Sequence, residues 1–219
     1  MKRAFLGIAV AGLLSASTLF AAPIHTAAGK GDLAKVQSLV KAKPALVHLK
    51  NPDGETPLHS ACAGGQKAIA EFLLVNGADL KARDGEGMTP LHHAATASDP
   101  AVISLLLTKG AEVDARDDEG VTPLLVAIAG GDMAPVQLLL AANADAKAAD
   151  KAGLTALHYA AGDGETDVPE RVEIYKLLVS KGAAVGAIDA EGITPLHLAA
   201  AAGEKEAVVF LLGHGADPK

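Results

Sequence analysis

Branched aliphatic residues recur along this chain in short runs of helical spacing, divided by polar stretches that contain Gly. Ile69-Ala70-Glu71-Phe72-Leu73-Leu74, Val102-Ile103-Ser104-Leu105-Leu106-Leu107 and Val136-Gln137-Leu138-Leu139-Leu140 place apolar residues three and four apart, which predicts amphipathic helices. Each run stops at Gly77, Gly110, Asn143, Gly182 or Gly215, residues that accept the left-handed conformation ending a helix. Upstream of each run stands a second helix signal. It is Thr56-Pro57-Leu58-His59, Thr89-Pro90-Leu91-His92, Thr122-Pro123-Leu124-Leu125, Thr155-Ala156-Leu157-His158 or Thr194-Pro195-Leu196-His197. Thr caps a helix N-terminus through its hydroxyl, and Pro fits the first helical position, where no N–H is needed.

The Thr-to-Thr steps are 33, 33, 33 and 39 residues. A fixed period of that length predicts a stacked array in place of one globular core. The predicted unit is a helix, a short turn, a second helix, a cap and an extended loop. Small residues after each Leu (Ala61, Ala94, Ala127, Ala160, Ala199) let helices of adjacent units approach closely. Two such helices cannot bury their apolar faces alone, so each pair must stack on its copies.

Asp84-Gly85-Glu86-Gly87-Met88-Thr89-Pro90-Leu91-His92, followed by Gly110-Ala111-Glu112-Val113-Asp114-Ala115, resembles the ankyrin-repeat unit. The match recurs five times over about residues 51 to 219. A weaker copy begins at Ala22-Pro23-Ile24-His25. The resemblance implies an all-α solenoid of helix-turn-helix units joined by β-hairpin-like loops. Six repeats are expected, at about 22–50, 51–83, 84–116, 117–149, 150–188 and 189–219. Departures from the family pattern are Ala156 for Pro, Leu125 for His, Ser98 for the usual Gly, and six extra residues around Glu165 to Glu170.

Met1-Lys2-Arg3, the apolar run Ala4 to Phe20 and the small pair Ala21-Ala22 have the layout of a secretory signal peptide. Residues 1–21 are therefore expected to be removed, with a cut after Ser17 as the alternative. The mature protein is expected in the periplasm or outside the cell, with no membrane association. The 19 Lys+Arg against 26 Asp+Glu give a net charge of −7. That balance argues against nucleic acid, whose binding needs a basic face. Residues 23–53 are locally basic, with Lys30, Lys35, Lys41, Lys43 and Lys50 against Asp32 and Asp53. The one Cys excludes an internal disulfide, and Cys62, in a small-residue stretch, reads as a buried apolar residue.

Searches for chemistry return little. No nucleophile elbow, phosphate loop, zinc-protease helix or paired-Cys motif is present. The family resemblance gives His59, His92, His158 and His197 a structural role. His92 and His93 are adjacent and diverge on a helix, which disfavours zinc. Asp163, Glu165 and Asp167 faintly follow a calcium loop, but Val168 stands where its turn Gly belongs and Ile174 where its bidentate Glu belongs. No catalytic residue, cofactor or metal is expected, and the chain does not read as an enzyme.

Partners of the family usually bind a concave side made of loop tips and first helices. Carried over by position, that face holds an acidic set, Asp53, Glu55, Glu86, Asp118, Glu119 and Glu191, and an apolar set, Met88, Val121, Leu154 and Ile193. Such a face suits a protein partner with an apolar ridge and a basic rim. The alternative for the apolar set is packing against the next loop. The expected function is a monomeric, non-catalytic binding module for another exported protein, protecting or neutralising it. A secreted effector acting on host proteins and a self-associating scaffold are the alternatives, and the partner's identity is not readable.

Overall fold

Thr followed by Pro opens four of the helices, and a glycine turn or an extended residue closes each pair. The computed structural model describes residues 23–161 and 169–219. The expected signal peptide, 1–21, lies outside the described residues, as do Asp163, Glu165 and Asp167 of the insertion. Among the described residues there are twelve α-helices and no strand, only an isolated bridge between Ala149 and Thr155. No helix there is long and apolar enough to cross a membrane.

The chain divides into two compact units, Met1–Asp118 and Glu119–Lys219. The first holds three helix pairs: α1 Pro23–Lys30 with α2 Leu33–Ala42, α3 Pro57–Ala63 with α4 Lys67–Val75, and α5 Pro90–Thr96 with α6 Pro100–Thr108. Its first helices stack α1 on α3 on α5, and its second helices α2 on α4 on α6. The second unit repeats the plan: α7 Pro123–Gly130 with α8 Met133–Ala141, α9 Ala156–Ala160 with α10 Pro169–Ser180, and α11 Pro195–Ala202 with α12 Lys205–Gly213. There α7 packs on α9 on α11, and α8 on α10 on α12. The weak first copy is thus a full helix pair, closed by a 3-10 turn at Pro44–His48.

All five predicted stops of the second helices have positive φ, from 65° at Asn143 to 90° at Gly215. At each, two amides turn back onto the helix. In α4, Gly77 N–H donates to Leu74 O (3.1 Å) and Ala78 N–H to Leu73 O (2.9 Å). This paired cap satisfies carbonyls that the helix end would otherwise leave open. The core between the helices is aliphatic, with Leu58, Leu73, Leu91, Leu106, Leu124, Leu139, Leu157 and Leu211 fully buried. Cys62 is buried with them, and burial pushes its thiol up, away from reactive thiolate.

The described part of the second helix after the insertion is longer than its counterparts. Helix α10 has 12 residues where α4, α6 and α8 each have 9. The added turn carries Arg171, whose Nη1 donates to Glu204 Oε1 at 3.0 Å, with side chains 16% and 5% exposed. Fully buried Tyr175 lies one turn further on. Burial and the Glu204 charge raise its phenol above the usual range.

Candidate functional site

Four repeat loops end in a tip built around one side chain. Oδ1 of Asp84 accepts the amides of Glu86 and Met88, both at 2.9 Å. Asn51 does the same for Asp53 and Glu55, Asp150 for Ala152 and Leu154, and Asp189 for Glu191 and Ile193. The backbone closes each tip as a narrow hairpin, with Asp84 N–H donating to Met88 O (3.0 Å) and Asp150 N–H to Leu154 O (3.1 Å). An Asp or Asn at this place mimics a backbone turn. Adjacent tips are tied by one bond per step. These bonds are Gly85 N–H to Asp53 O (2.8 Å) and Asp118 N–H to Glu86 O (2.9 Å) in the first unit. In the second they are Lys151 N–H to Glu119 O and Ala190 N–H to Ala152 O, both 2.9 Å. Gly54 has φ +79°, and a Cβ there would stand 2.6 Å from Gly85 N, so this step admits only glycine.

The acidic set sits where the sequence puts it, on the tips. Asp53, Glu86, Asp118, Glu119 and Glu191 are exposed, while Glu55 is half-buried and accepts from Asn51 Nδ2 at 2.9 Å. The apolar set does not form an exposed ladder. Val121 is 6% exposed and belongs to the core, and Met88, Leu154 and Ile193 are half-buried. All four stand directly before a helix N-cap, the place from which an apolar side chain staples to the fourth helical residue. For Val121 that residue is Val126, itself buried.

The motif histidines of repeats two and five tie each to the repeat that follows. Thr56 N–H donates to His59 Nδ1 (3.1 Å), so that nitrogen carries no proton and the hydrogen sits on Nε2. Nε2–H then donates to Met88 O of the following repeat (3.1 Å). His158 repeats this with Thr155 and Ile193 O (3.0 Å). His25 Nε2 lies 3.0 Å from both Leu49 O and Glu55 O. Burial pushes the His59 imidazole down to about 4, with neighbouring His93 adding to the effect. Burial also lowers His158.

The tip of repeat three has a further support that the sequence reading missed. Asp84 Oδ2 accepts from His93 Nε2 at 2.7 Å, with side chains 7% and 14% exposed. The His93 ring meets the His59 ring edge-on, with centroids 5.1 Å apart. Burial opposes ionisation of Asp84, but the His93 hydrogen bond and the Glu86 and Met88 amides outweigh it and hold the carboxyl below its ordinary range. Repeat five places Tyr159 at the equivalent position, where its hydroxyl donates to Asp150 Oδ2 (2.9 Å). The signal available in the sequence was a donor nine residues after a tip acid.

His59, Asp84 and His93 each offer a metal ligand atom, and these atoms lie within 4.8 Å of one another. The donor set does not suit a metal. Both His59 nitrogens are committed to the backbone, and a metal at Nε2 would displace the bond to Met88 O. The arrangement braces a loop. In the second unit a groove of about 470 Å³ is lined by Met133, Gln137, Glu173, Lys176, Leu177 and Ser180. Its two charges pair with each other, Lys176 Nζ to Glu173 Oε1 at 2.6 Å.

Comparison with known proteins agrees with this architecture. The family model for Ankyrin repeats (3 copies) matches residues 24–117, 99–183 and 124–219. Among solved structures, a chain in the complex of the predatory endopeptidase Bd0816 from Bdellovibrio bacteriovorus with immunity protein Bd3460 is similar. The TM-score is 0.76 at 30% identity, covering 89% of this chain and 98% of that one. Protein phosphatase 1 regulatory subunit 27 of Mus musculus is 43% identical over 61 residues, 28% of this chain and 39% of that protein. Serine/threonine-protein kinase VIK of Arabidopsis thaliana is 40% identical over 57 residues, 26% of this chain and 13% of the kinase. The matched region thus spans well under half the length of these curated relatives.

Proposed function

The chain belongs to the ankyrin-repeat family, and from that premise we propose that it is an exported, non-catalytic module that binds and neutralises another exported protein. The observation that carries this reading is the solved neighbour, a chain matched along 98% of its length in the structure of an endopeptidase in complex with an immunity protein. By that likeness the partner is a peptidase, and the chain restrains it. The binding surfaces are the loop tips of each unit, Asp53, Glu86 and Asp118 in the first and Glu119 and Glu191 in the second, which offer exposed carboxylates to a basic rim. Rigid tips lower the ordering cost of binding, and the tip hydrogen bonds supply that rigidity. The apolar contribution comes from the accessible parts of Met88, Leu154 and Ile193, with Val121 acting from the core. The basic start and apolar run of residues 1–21 support export, and the mature chain acts as a monomer outside the cytoplasm.

The test is capture of endogenous partners on the mature chain, residues 22–219, followed by an inhibition assay. A peptidase should co-purify, and its hydrolysis of casein should fall as stoichiometric chain is added. Substituting Glu86→Arg with Asp118→Arg should weaken inhibition at least tenfold. Peptidase activity unchanged by excess chain would overturn the reading.

A further inference from the structure

We propose that His93 is the positioning residue for the tip of repeat three, acting through Asp84, and that its contact with His59 makes this tip let go in acid. The proposal rests on the tips being the binding face, and it adds how one of them is regulated. His93 touches no exposed tip residue itself. It holds Asp84 Oδ2 at 2.7 Å, while Asp84 Oδ1 fixes the Glu86 and Met88 amides. The same tip is anchored from below by His59 Nε2–H to Met88 O. Two imidazoles therefore support one loop, in edge contact with each other.

His93 is paired with the Asp84 carboxylate at 2.7 Å. A proton on His59 has no such partner. It would occupy Nδ1, where Thr56 N–H already points, and would set a charge in a buried place on a ring 5.1 Å from that of His93. The depressed His59 value of about 4 agrees with this. The groups that face His59 are His93 and Asp84. On α1, His25 turns to Leu49 and Glu55; on α5, His92 is engaged with Thr89; on α4, Lys67 and Glu71 are exposed. Among the described residues, His93 and Asp84 are the charges that act on His59.

Repeat five supplies the internal control. Its tip has the same backbone bonds, but its brace is Tyr159, and the motif position of the preceding repeat holds Leu125. Neither titrates between neutral and mildly acid pH. The experiment is residue-resolved amide exchange on the full mature chain between pH 7.5 and 4, expressed as protection over the intrinsic rate. The Glu86 and Met88 amides should lose at least tenfold more protection than those of Ala152 and Leu154. His93→Tyr should keep protection at pH 7.5 and diminish the excess loss in acid, the remainder belonging to the burial of His59. His93→Phe, lacking a donor, should lower it at both pH values while the repeat-five tip stays unchanged. Equal loss at both tips in the wild type, or an undiminished acid loss in His93→Tyr, would overturn the proposal. Because exchange needs no partner, the brace can stand even where Glu86→Arg leaves peptidase inhibition intact, an outcome that would instead remove the tips as the binding face.

Discussion

The tips of repeats three and five share a backbone and differ in what stands behind it. Each has an Asp whose Oδ1 takes two amides, a glycine of φ near +80° and a closing hairpin bond. In repeat three the second carboxylate oxygen leans on an imidazole above a second imidazole. In repeat five it leans on a phenol. The difference teaches that the repeating residues set the shape of a tip, while non-repeating ones set how it responds to conditions. The two units divide the same way: histidine pairing is found in the first, and a buried Arg–Glu pair in the second.

The largest expected effect breaks the second unit's distinctive feature. Arg171→Met leaves the Glu204 carboxylate, 5% exposed, without its cation. Stranding one member of a buried pair costs about 3–5 kcal/mol. The double change Arg171→Met with Glu204→Leu should recover most of that loss, because the desolvation cost leaves with the charges. Urea unfolding followed by tyrosine emission reads this directly, since both tyrosines, Tyr159 and Tyr175, lie in the second unit.

Acid should act on both units through their buried imidazoles, and more strongly on the first, which holds the His59–His93 contact. His59 has a folded value of about 4 against 6.5 when unfolded, so the unfolded chain binds the proton first. The sign follows: its contribution is fully present above about pH 6.5 and is lost as pH falls toward 4, a change on the order of 3 kcal/mol. Asp84, also depressed, acts in the same direction at still lower pH. On acid titration, helical circular dichroism should begin to fall before the tyrosine signal does. Coincident transitions would place the acid-sensitive step elsewhere. A smaller effect sharpens the comparison from the other side: Tyr159→Phe removes one hydrogen bond to Asp150 and should cost about 1 kcal/mol with no change in pH profile.

Much of this architecture can be read from spacing. Thr-Pro-Leu-His marks the first helices, and each predicted stop from Gly77 to Gly215 ends a second helix in the left-handed conformation. Caps and stops are local chemistry, so a local pattern reveals them. The acidic tip positions are equally plain, because Asp-x-x-Gly, with Asn51 in place of Asp in repeat two, marks each tip. Three features were hidden for one shared reason. Val121 looks like its half-buried counterparts Met88, Leu154 and Ile193 in the pattern, but its burial depends on which way the chain enters α7. Arg171 stands just after the Glu165–Glu170 insertion, and nothing in the local pattern marks it until α10 extends to include it. His93 meets His59 across 34 residues, and only the stacking of α3 on α5 brings them together. Adjacency of His92 and His93 showed that the two rings diverge, but not where the second one goes.

The smallest prediction concerns a departure that the sequence did display. Ser98 occupies the turn between α5 and α6 at φ +52°, where Gly65, Gly131 and Gly203 hold φ +66°, +78° and +76° in other repeats. A side chain in that region costs roughly 1–2 kcal/mol, whereas glycine adopts it freely but loses about 0.5–1 kcal/mol more chain entropy on folding. The first effect outweighs the second, so Ser98→Gly should stabilise the first unit by about 0.5–1 kcal/mol. The gain should appear in the dichroism-detected urea midpoint and leave the tyrosine-detected midpoint unmoved, because Ser98 and both tyrosines lie in different units. A matching loss from Gly131→Ser, read by tyrosine emission, would establish that the turn carries the same cost in both units and that the contrast between them lies in their braces.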